Sequence, residues 1–119
     1  MIVGIGIDII ELDRIEKSLA KRERFVKRIL TPAEEKHYYE LRSDRRKLEF
    51  LAGRFAVKEA FAKAAGTGIG KLSFQHIEIL PNSNGAPKLK VDGYEDYLLW
   101  VSISHSEKYA IAQVIIEKK

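Results

Sequence analysis

The first ten residues alternate between branched apolar side chains and small or acidic ones. One face of this segment would carry Val3, Ile5, Ile7 and Ile9. The opposite face would carry Gly4, Gly6 and Asp8. A period of two with isoleucine and valine predicts a strand over residues 1–10. Glycines allow another element to approach closely, so we expect Asp8 on a crowded face at the end of this strand.

A helical region with two stripes is predicted next. The apolar stripe consists of Leu12, Ile15, Leu19, Val26 and Ile29. The basic stripe consists of Arg14, Lys17, Lys21, Arg24 and Arg28. Phe25 lies beside the basic stripe, where we expect an exposed aromatic ring. Such a surface suits docking to an acidic helix or to phosphates, although basic stripes are more often solvated helix faces.

Two further helices are predicted before residue 66. Thr31-Pro32-Ala33-Glu34 has the residues of a capped helix start, and this short helix should end near Leu41. A long helix should then run from about Arg45 to Ala65, where Gly66 suits the left-handed C-terminal position. One face of the long helix would carry Leu48, Ala52, Phe55, Glu59 and Ala62. A carboxylate among apolar residues needs a cation or a metal as partner, so Glu59 is a candidate functional residue.

The remaining residues predict an antiparallel sheet. Strands are expected at Phe74–Leu80, Pro87–Val91, Trp100–His105 and Tyr109–Ile116. Asn82–Gly85 is a strong turn signal, whereas Tyr94–Leu99 fits neither period. One strand, then helices, then several strands predict an α+β fold in which an antiparallel sheet packs against a long helix.

Composition and charge narrow the class of protein. The chain has 119 residues, is 45% hydrophobic and 32% charged, and contains no cysteine, which predicts one domain over residues 1–119 without disulfides or thiolate metal sites. We expect a cytoplasmic protein that is not bound to a membrane, because no secretory or transmembrane segment is present. The net charge of +4 and the pI of about 9.3 favour an acidic partner.

Asp8 and Glu59 form the first candidate site. Two carboxylates that lie close together repel each other unless a cation sits between them, and Mg²⁺ takes one or two carboxylates together with phosphates and waters. The pair therefore predicts a magnesium site completed by a phosphate ligand. The alternative is structural: Asp8 would cap a helix with Glu11 as its partner, and Glu59 would pair with Lys63.

Basic residues along the long helix form a second candidate site. Lys58, Lys63, Arg46 and Arg54 could hold a pyrophosphate and a further phosphate, or they could form a solvated face. His105 ends a strand and could bind phosphate or transfer a proton. His37 and His76 have no supporting context.

Five segments resemble one known family. Gly6-Ile7-Asp8-Ile9 followed by Arg14 resembles the motif G-x-D-I-x-x-x-x-R, and the segment 55–64 resembles F-A-x-K-E-A-x-x-K-A. Segments 66–69, 84–87 and 102–105 follow in the same order and spacing. The family is that of the holo-[acyl-carrier-protein] synthases, the small bacterial 4′-phosphopantetheinyl transferases. The resemblance covers essentially the whole chain.

The resemblance implies an activity and its residues. Such enzymes transfer the 4′-phosphopantetheine arm of coenzyme A to a serine of apo-acyl carrier protein for fatty acid biosynthesis, require Mg²⁺, release 3′,5′-ADP and form homotrimers. The metal ligands would be Asp8 and Glu59, with Lys63 as a third catalytic residue. The coenzyme A contacts would be Arg46, Arg54, Lys63, Gly66, Gly68, Asn84, Pro87 and His105. The carrier contacts would be Arg14, Arg22, Arg24, Phe25 and Arg28. Glu59, Asp8, a water on the metal and His105 all remain candidates for the group that accepts the serine proton.

A basic nucleic-acid-binding module is the competing interpretation, because the pI and the basic stripe also suit that class. The stripe carries one aromatic residue rather than the repeated stacking residues of single-strand binders. The sequence also lacks a helix-turn-helix or RNA-binding signature. We therefore expect no nucleic-acid partner.

Overall fold

The computed structural model describes residues 1–66 and 73–119. The helices are α1 (Leu12–Lys21), α2 (Phe25–Ile29), α3 (Pro32–Glu40) and α4 (Asp44–Ala65). The strands are β1 (Ile2–Glu11), β2 (Ile77–Pro81), β3 (Pro87–Val91), β4 (Tyr97–His105) and β5 (Tyr109–Lys118). A short 3-10 turn, Phe74–His76, precedes β2. None of the helices in the described residues is long and apolar enough to cross a membrane.

The strands form two antiparallel sheets rather than one. β1, β5 and β4 make a three-stranded sheet in that spatial order, and β2 pairs with β3 in a separate hairpin. The predicted α+β class with antiparallel pairing against a long helix is therefore confirmed, and the division into two sheets is an addition to it.

Two glycines let β1 lie directly on α4. A Cβ atom at Gly4 would overlap the carbonyl oxygen of Ala64, and one at Gly6 would overlap that of Ala60. The glycine face of β1 thus faces the helix, as the sequence predicted. The branched apolar face points away from the helix, and Ile5, Ile7 and Ile9 are 53–59% exposed.

The helix boundaries follow from capping. Thr31 and Glu34 form the predicted capping box of α3, with Pro32 in the first turn. α4 starts one residue earlier than predicted, with Ser43 as N-cap, and ends at Gly66, whose φ of 75° is left-handed. The expected helical region before residue 30 is instead divided into α1 and α2, because residues 22–24 leave the helical conformation.

Candidate active site

Asp8 lies within β1 and faces α4. It pairs with Ala112 of β5, and the strand continues beyond it to Glu11. Glu11, which precedes α1, makes no side-chain capping hydrogen bond. The alternative in which Asp8 caps the first helix is therefore wrong, and the strand does not end at Asp8.

Lys63 of α4 reaches across to β1. Its Nζ atom donates to Asp8 Oδ1 at 2.9 Å and to the carbonyl oxygen of Ile7 at 3.0 Å. In residues 1–66 and 73–119, Glu59 makes no ion pair. The alternative pairing of Glu59 with Lys63 is therefore wrong, and Lys63 neutralises Asp8 instead.

Glu59 is a partly buried carboxylate beside a second one. Burial is the largest cause that raises the pKa of Glu59, and the charge of Asp8 raises it further. Lys63 and Arg14 oppose both effects. A carboxyl group in this position accepts a proton or a cation more readily than an exposed one.

The oxygen donors at this position fit Mg²⁺. Asp8 and Glu59 supply two hard carboxylate ligands, which is the number that magnesium sites with phosphate substrates commonly use. Within the described residues, three or more His, Asp or Glu side chains do not converge on one point. The other ligands of an ion held here would therefore be waters and substrate phosphates.

Glu59 also lines a cavity of about 380 Å³ between α1, α2 and α4, which we call the Glu59 cavity. Three predicted carrier-binding arginines line it: Arg14, Arg22 and Arg28. Phe25 lines it as well but is only 7% exposed, so the expectation of an exposed ring is wrong: the helical phase restarts at residue 25 and turns the ring inward. Arg24 is not part of the lining; it is the exposed N-cap residue of α2.

Arg46, Arg54 and His105 meet in a second cavity of about 350 Å³, which we call the Arg46 cavity. The His105 Nε2 atom lies 2.9 Å from the carbonyl oxygen of Glu49. Because that oxygen only accepts, Nε2 carries a proton and donates it, which fixes the ring against α4. His105 lies beside Gly53, where an added Cβ would come within 3.1 Å of Nε2.

Arg54 is the more buried of the two arginines at this cavity. Its guanidinium carbon lies 4.0 Å from the centroid of the Phe50 ring, and Nη2 donates to the carbonyl oxygen of Ile79 at 3.4 Å. Its Nε is buried without a hydrogen-bond partner among the described residues. Burial lowers the pKa of Arg54, and Glu34 opposes that change. A buried guanidinium with an unused donor is suited to an anionic ligand.

The other predicted coenzyme A contacts are not part of the described lining of the Arg46 cavity. Gly66 is the C-cap of α4, and Gly68 lies outside the described residues. Asn84 and Pro87 belong to the β2–β3 turn and its following strand, where Asn82 Oδ1 accepts the backbone N–H of Asn84 at 2.9 Å. Neither of these two residues is among the described lining of the Arg46 cavity.

Lys58 is a structural residue rather than part of the predicted phosphate-binding group. Its side chain is fully buried, and Nζ lies 2.6 Å from Oε1 of the equally buried Glu34. Burial lowers the pKa of Lys58, and Glu34 opposes that shift. The sequence contained one signal for this burial: Lys58 shares a helix face with the apolar residues Leu51, Phe55 and Phe61.

Comparisons with known proteins identify the family. The model of the 4′-phosphopantetheinyl transferase superfamily matches residues 4–114. A holo-[acyl-carrier-protein] synthase of Oceanobacillus iheyensis is 56% identical over 119 residues, covering 100% of this chain and 99% of the relative.

Solved structures point to the same family. The holo-(acyl-carrier-protein) synthase of Bacillus anthracis in complex with CoA (3′,5′-ADP) has a TM-score of 0.91 and 51% identity, covering 100% of this chain and 99% of that one. The Helicobacter pylori holo-[acyl-carrier-protein] synthase in complex with coenzyme A has a TM-score of 0.82 and 38% identity, covering 95% of this chain and 99% of that one.

The chain therefore belongs to the 4′-phosphopantetheinyl transferase superfamily, and within it to the holo-[acyl-carrier-protein] synthases. This confirms the family and the kind of enzyme that the sequence predicted.

Proposed function

We propose that this enzyme transfers the 4′-phosphopantetheine arm of coenzyme A to a serine of apo-acyl carrier protein, with Mg²⁺, and releases 3′,5′-ADP. Family membership supports the reaction. One observation carries the assignment of the site: Lys63, one turn after Glu59 in α4, donates to Asp8 at 2.9 Å, and Glu59 also lines the basic Glu59 cavity. Glu59 therefore belongs both to the proposed metal-binding pair and to a basic surface that suits an acidic carrier.

Asp8 and Glu59 would hold the magnesium ion. When bound, Mg²⁺ supplies positive charge that offsets the pyrophosphate charge and stabilises the leaving 3′,5′-ADP. Lys63 now donates to Asp8; with an ion on that carboxylate, its ammonium group is available to a phosphate oxygen.

The residues of the chain act mainly by alignment and charge. In the transfer, the serine oxygen forms a bond to the β-phosphorus of coenzyme A, and the bond from that phosphorus to the 3′,5′-ADP oxygen breaks. Such reactions depend on positioning and electrostatics more than on covalent help. Lys63 stabilises charge on the phosphoryl oxygens. Glu59, which lines the cavity where the serine would enter, accepts the serine proton directly or through a water.

The Arg46 cavity is proposed to bind coenzyme A phosphates. It is supported by the convergence of Arg46, Arg54 and His105 and by the unused Nε of Arg54. Gly66, Gly68, Asn84 and Pro87 are proposed to border the nucleotide, on the strength of the family motif alone.

The Glu59 cavity and its rim are proposed to dock the carrier. The contacts would be Arg14, Arg22, Arg24, Phe25 and Arg28. Their positive charge complements an acidic helix, and Phe25 forms an apolar wall of the cavity rather than an exposed anchor.

A homotrimer in the cytoplasm is also proposed. Support comes from the sheet face opposite α4, where the cross-strand neighbours Ile9 and Ile111 are exposed, as are Ile5 and Trp100 on either side of Ile115. An apolar sheet face of this kind is typical of subunit contacts. Light scattering should give three times the mass of one chain, and Ile7→Lys should reduce it to a single chain.

The decisive experiment is mass spectrometry of apo-acyl carrier protein after incubation with the protein, coenzyme A and Mg²⁺. The carrier should gain the mass of one phosphopantetheine, and the gain should disappear in Asp8→Asn and Glu59→Gln, which keep side-chain size. No gain with several bacterial carriers would contradict the activity. Full activity in both variants would contradict the metal assignment.

A further inference from the structure

An amide side chain outside the proposed site holds the end of α2. Gln75, in the 3-10 turn before β2, donates from Nε2 to the carbonyl oxygens of Lys27 and Leu30, both at 2.8 Å, and lies 3.3 Å from that of Arg28. The last carbonyl groups of a helix lack partners within the helix. Gln75 therefore acts as a C-terminal cap supplied by a segment 45 to 48 residues away.

The remaining carbonyl of that turn is held by α4. Lys58 Nζ donates to the carbonyl oxygen of Ile29 at 2.6 Å, to that of Phe74 at 3.0 Å and to Glu34 Oε1 at 2.6 Å. Phe74 directly precedes Gln75. The end of α2, the 3-10 turn and α4 are thus joined by one hydrogen-bonded group, which we call the α2 clamp and define as Lys58 and Gln75.

Tertiary contacts hold α2 in position, and the clamp is one of them beside the buried side chains of Phe25, Val26 and Ile29. This helix has five residues, and helices this short are not stable on their own because nucleation is unfavourable. Its residues Phe25 and Arg28 line the Glu59 cavity. Lys58 directly precedes Glu59 in α4, so the clamp ties these two lining residues to the carboxylate at the same cavity.

We propose that Gln75 is a positioning residue for carrier recognition. By holding the last turn of α2, it sets the placement of Arg28 and Phe25 relative to Glu59 that a docked carrier requires. The inference rests on the proposed carrier docking at the Glu59 cavity. Gln75 is exposed, whereas Lys58 is buried with Glu34, so a change at Gln75 tests positioning without leaving a buried charge unpaired.

Gln75→Met tests the proposal, because methionine has a similar length but carries no donor or charge. We expect the KM for apo-acyl carrier protein to rise about fivefold, as expected for lost hydrogen bonds of ordinary strength. The KM for coenzyme A should stay close to that of the parent protein, and the Tm should fall by only a few degrees, as expected for lost hydrogen bonds at an exposed side chain. An unchanged carrier KM, or a change confined to kcat and Tm, would overturn the proposal.

A double-mutant cycle separates positioning from a general structural effect. If Gln75 acts through α2, Gln75→Met combined with Arg28→Ala should raise the carrier KM by less than the product of the two single effects. Multiplicative effects would overturn the proposal.

Arg28→Glu tests the underlying docking surface independently. A raised carrier KM in Arg28→Glu with no effect of Gln75→Met would leave the docking surface in place and refute the role of Gln75. An unchanged carrier KM in Arg28→Glu would refute docking at this cavity and the role of Gln75 with it.

Discussion

The ammonium group of Lys63 lies 2.9 Å from the carboxylate of Asp8, although the two residues are 55 positions apart in the chain. Asp8 is mostly shielded, with 15% of its side chain exposed, while Lys63 is 55% exposed. The lysine therefore neutralises a carboxylate proposed to bind metal, and a cation arriving at Asp8 would compete with it. This position fits the proposed role of Lys63, in which its ammonium group exchanges Asp8 for a phosphate oxygen.

Lys63→Met should lower kcat/KM by about a hundredfold, the size of effect seen when one preorganised charge-stabilising donor is removed. Steady-state rates of carrier modification measure it. Lys119→Met is a suitable control, because Lys119 also donates to a backbone carbonyl, that of Glu95 at 3.2 Å, but is exposed on another part of the surface. Equal activity of the two variants would contradict a catalytic role for Lys63.

Glu59→Gln should stabilise the protein without Mg²⁺ at neutral pH. Burial and Asp8 raise the pKa of Glu59 in the folded protein, so ionised Glu59 costs stability above that pKa, and the cost disappears as pH falls towards the unfolded value. The Tm difference between variant and parent should therefore be positive at pH 7.5 and shrink at pH 4.5.

Added Mg²⁺ should make the parent protein more stable than Glu59→Gln, which is the reverse of their order without Mg²⁺. Binding to the folded state alone raises the Tm of the parent protein, and Glu59→Gln, which lacks one ligand, should gain little. Glu40→Gln, an exposed glutamate at the end of α3, should behave as the parent in both tests. Equal Mg²⁺-dependent stabilisation of parent and Glu59→Gln would contradict the metal site.

Local patterns in the sequence were sufficient for much of the fold. The alternation in β1, the capping box at Thr31 and the glycine after α4 each depend on neighbouring residues, and each was predicted. The glycine face of β1 also predicted that Asp8 would lie on a crowded face. These features are accessible because their period or chemistry is set within a few positions.

Long-range pairing was the part that sequence patterns could not supply. The partners of Lys58 and Lys63 lie 24 and 55 residues away, so the structural alternative, which paired Lys63 with Glu59 four positions earlier, named the wrong partner. Phe25 was assigned to an exposed face because one continuous helix was assumed, and the break at residues 22–24 changes its direction.

Arg46→Ala should raise the KM for coenzyme A about tenfold, the effect of one charge-assisted hydrogen bond to phosphate at an exposed position. Arg46 is exposed and lines its cavity with Arg54 and His105, so the Tm should change little. Arg42→Ala, an exposed arginine in the segment before α4, is the matched control. A similar KM in both variants would contradict phosphate binding at this cavity.

Gly6→Ala should impair both stability and catalysis. The new Cβ would overlap the carbonyl oxygen of Ala60, and since that atom belongs to the α4 backbone, β1 must move away from the helix. Overpacking of this kind costs about 1–3 kcal/mol, measurable by urea denaturation. Because Asp8 is two residues further along β1, the same shift separates it from Glu59 and Lys63, so kcat should fall even in the fully folded variant at low temperature.

Gly53→Ala is the informative comparison: its Cβ would meet the His105 side chain rather than backbone, so it should raise the KM for coenzyme A instead. A folded Gly6→Ala enzyme with parental kcat would show that the spacing between β1 and α4 does not control the site.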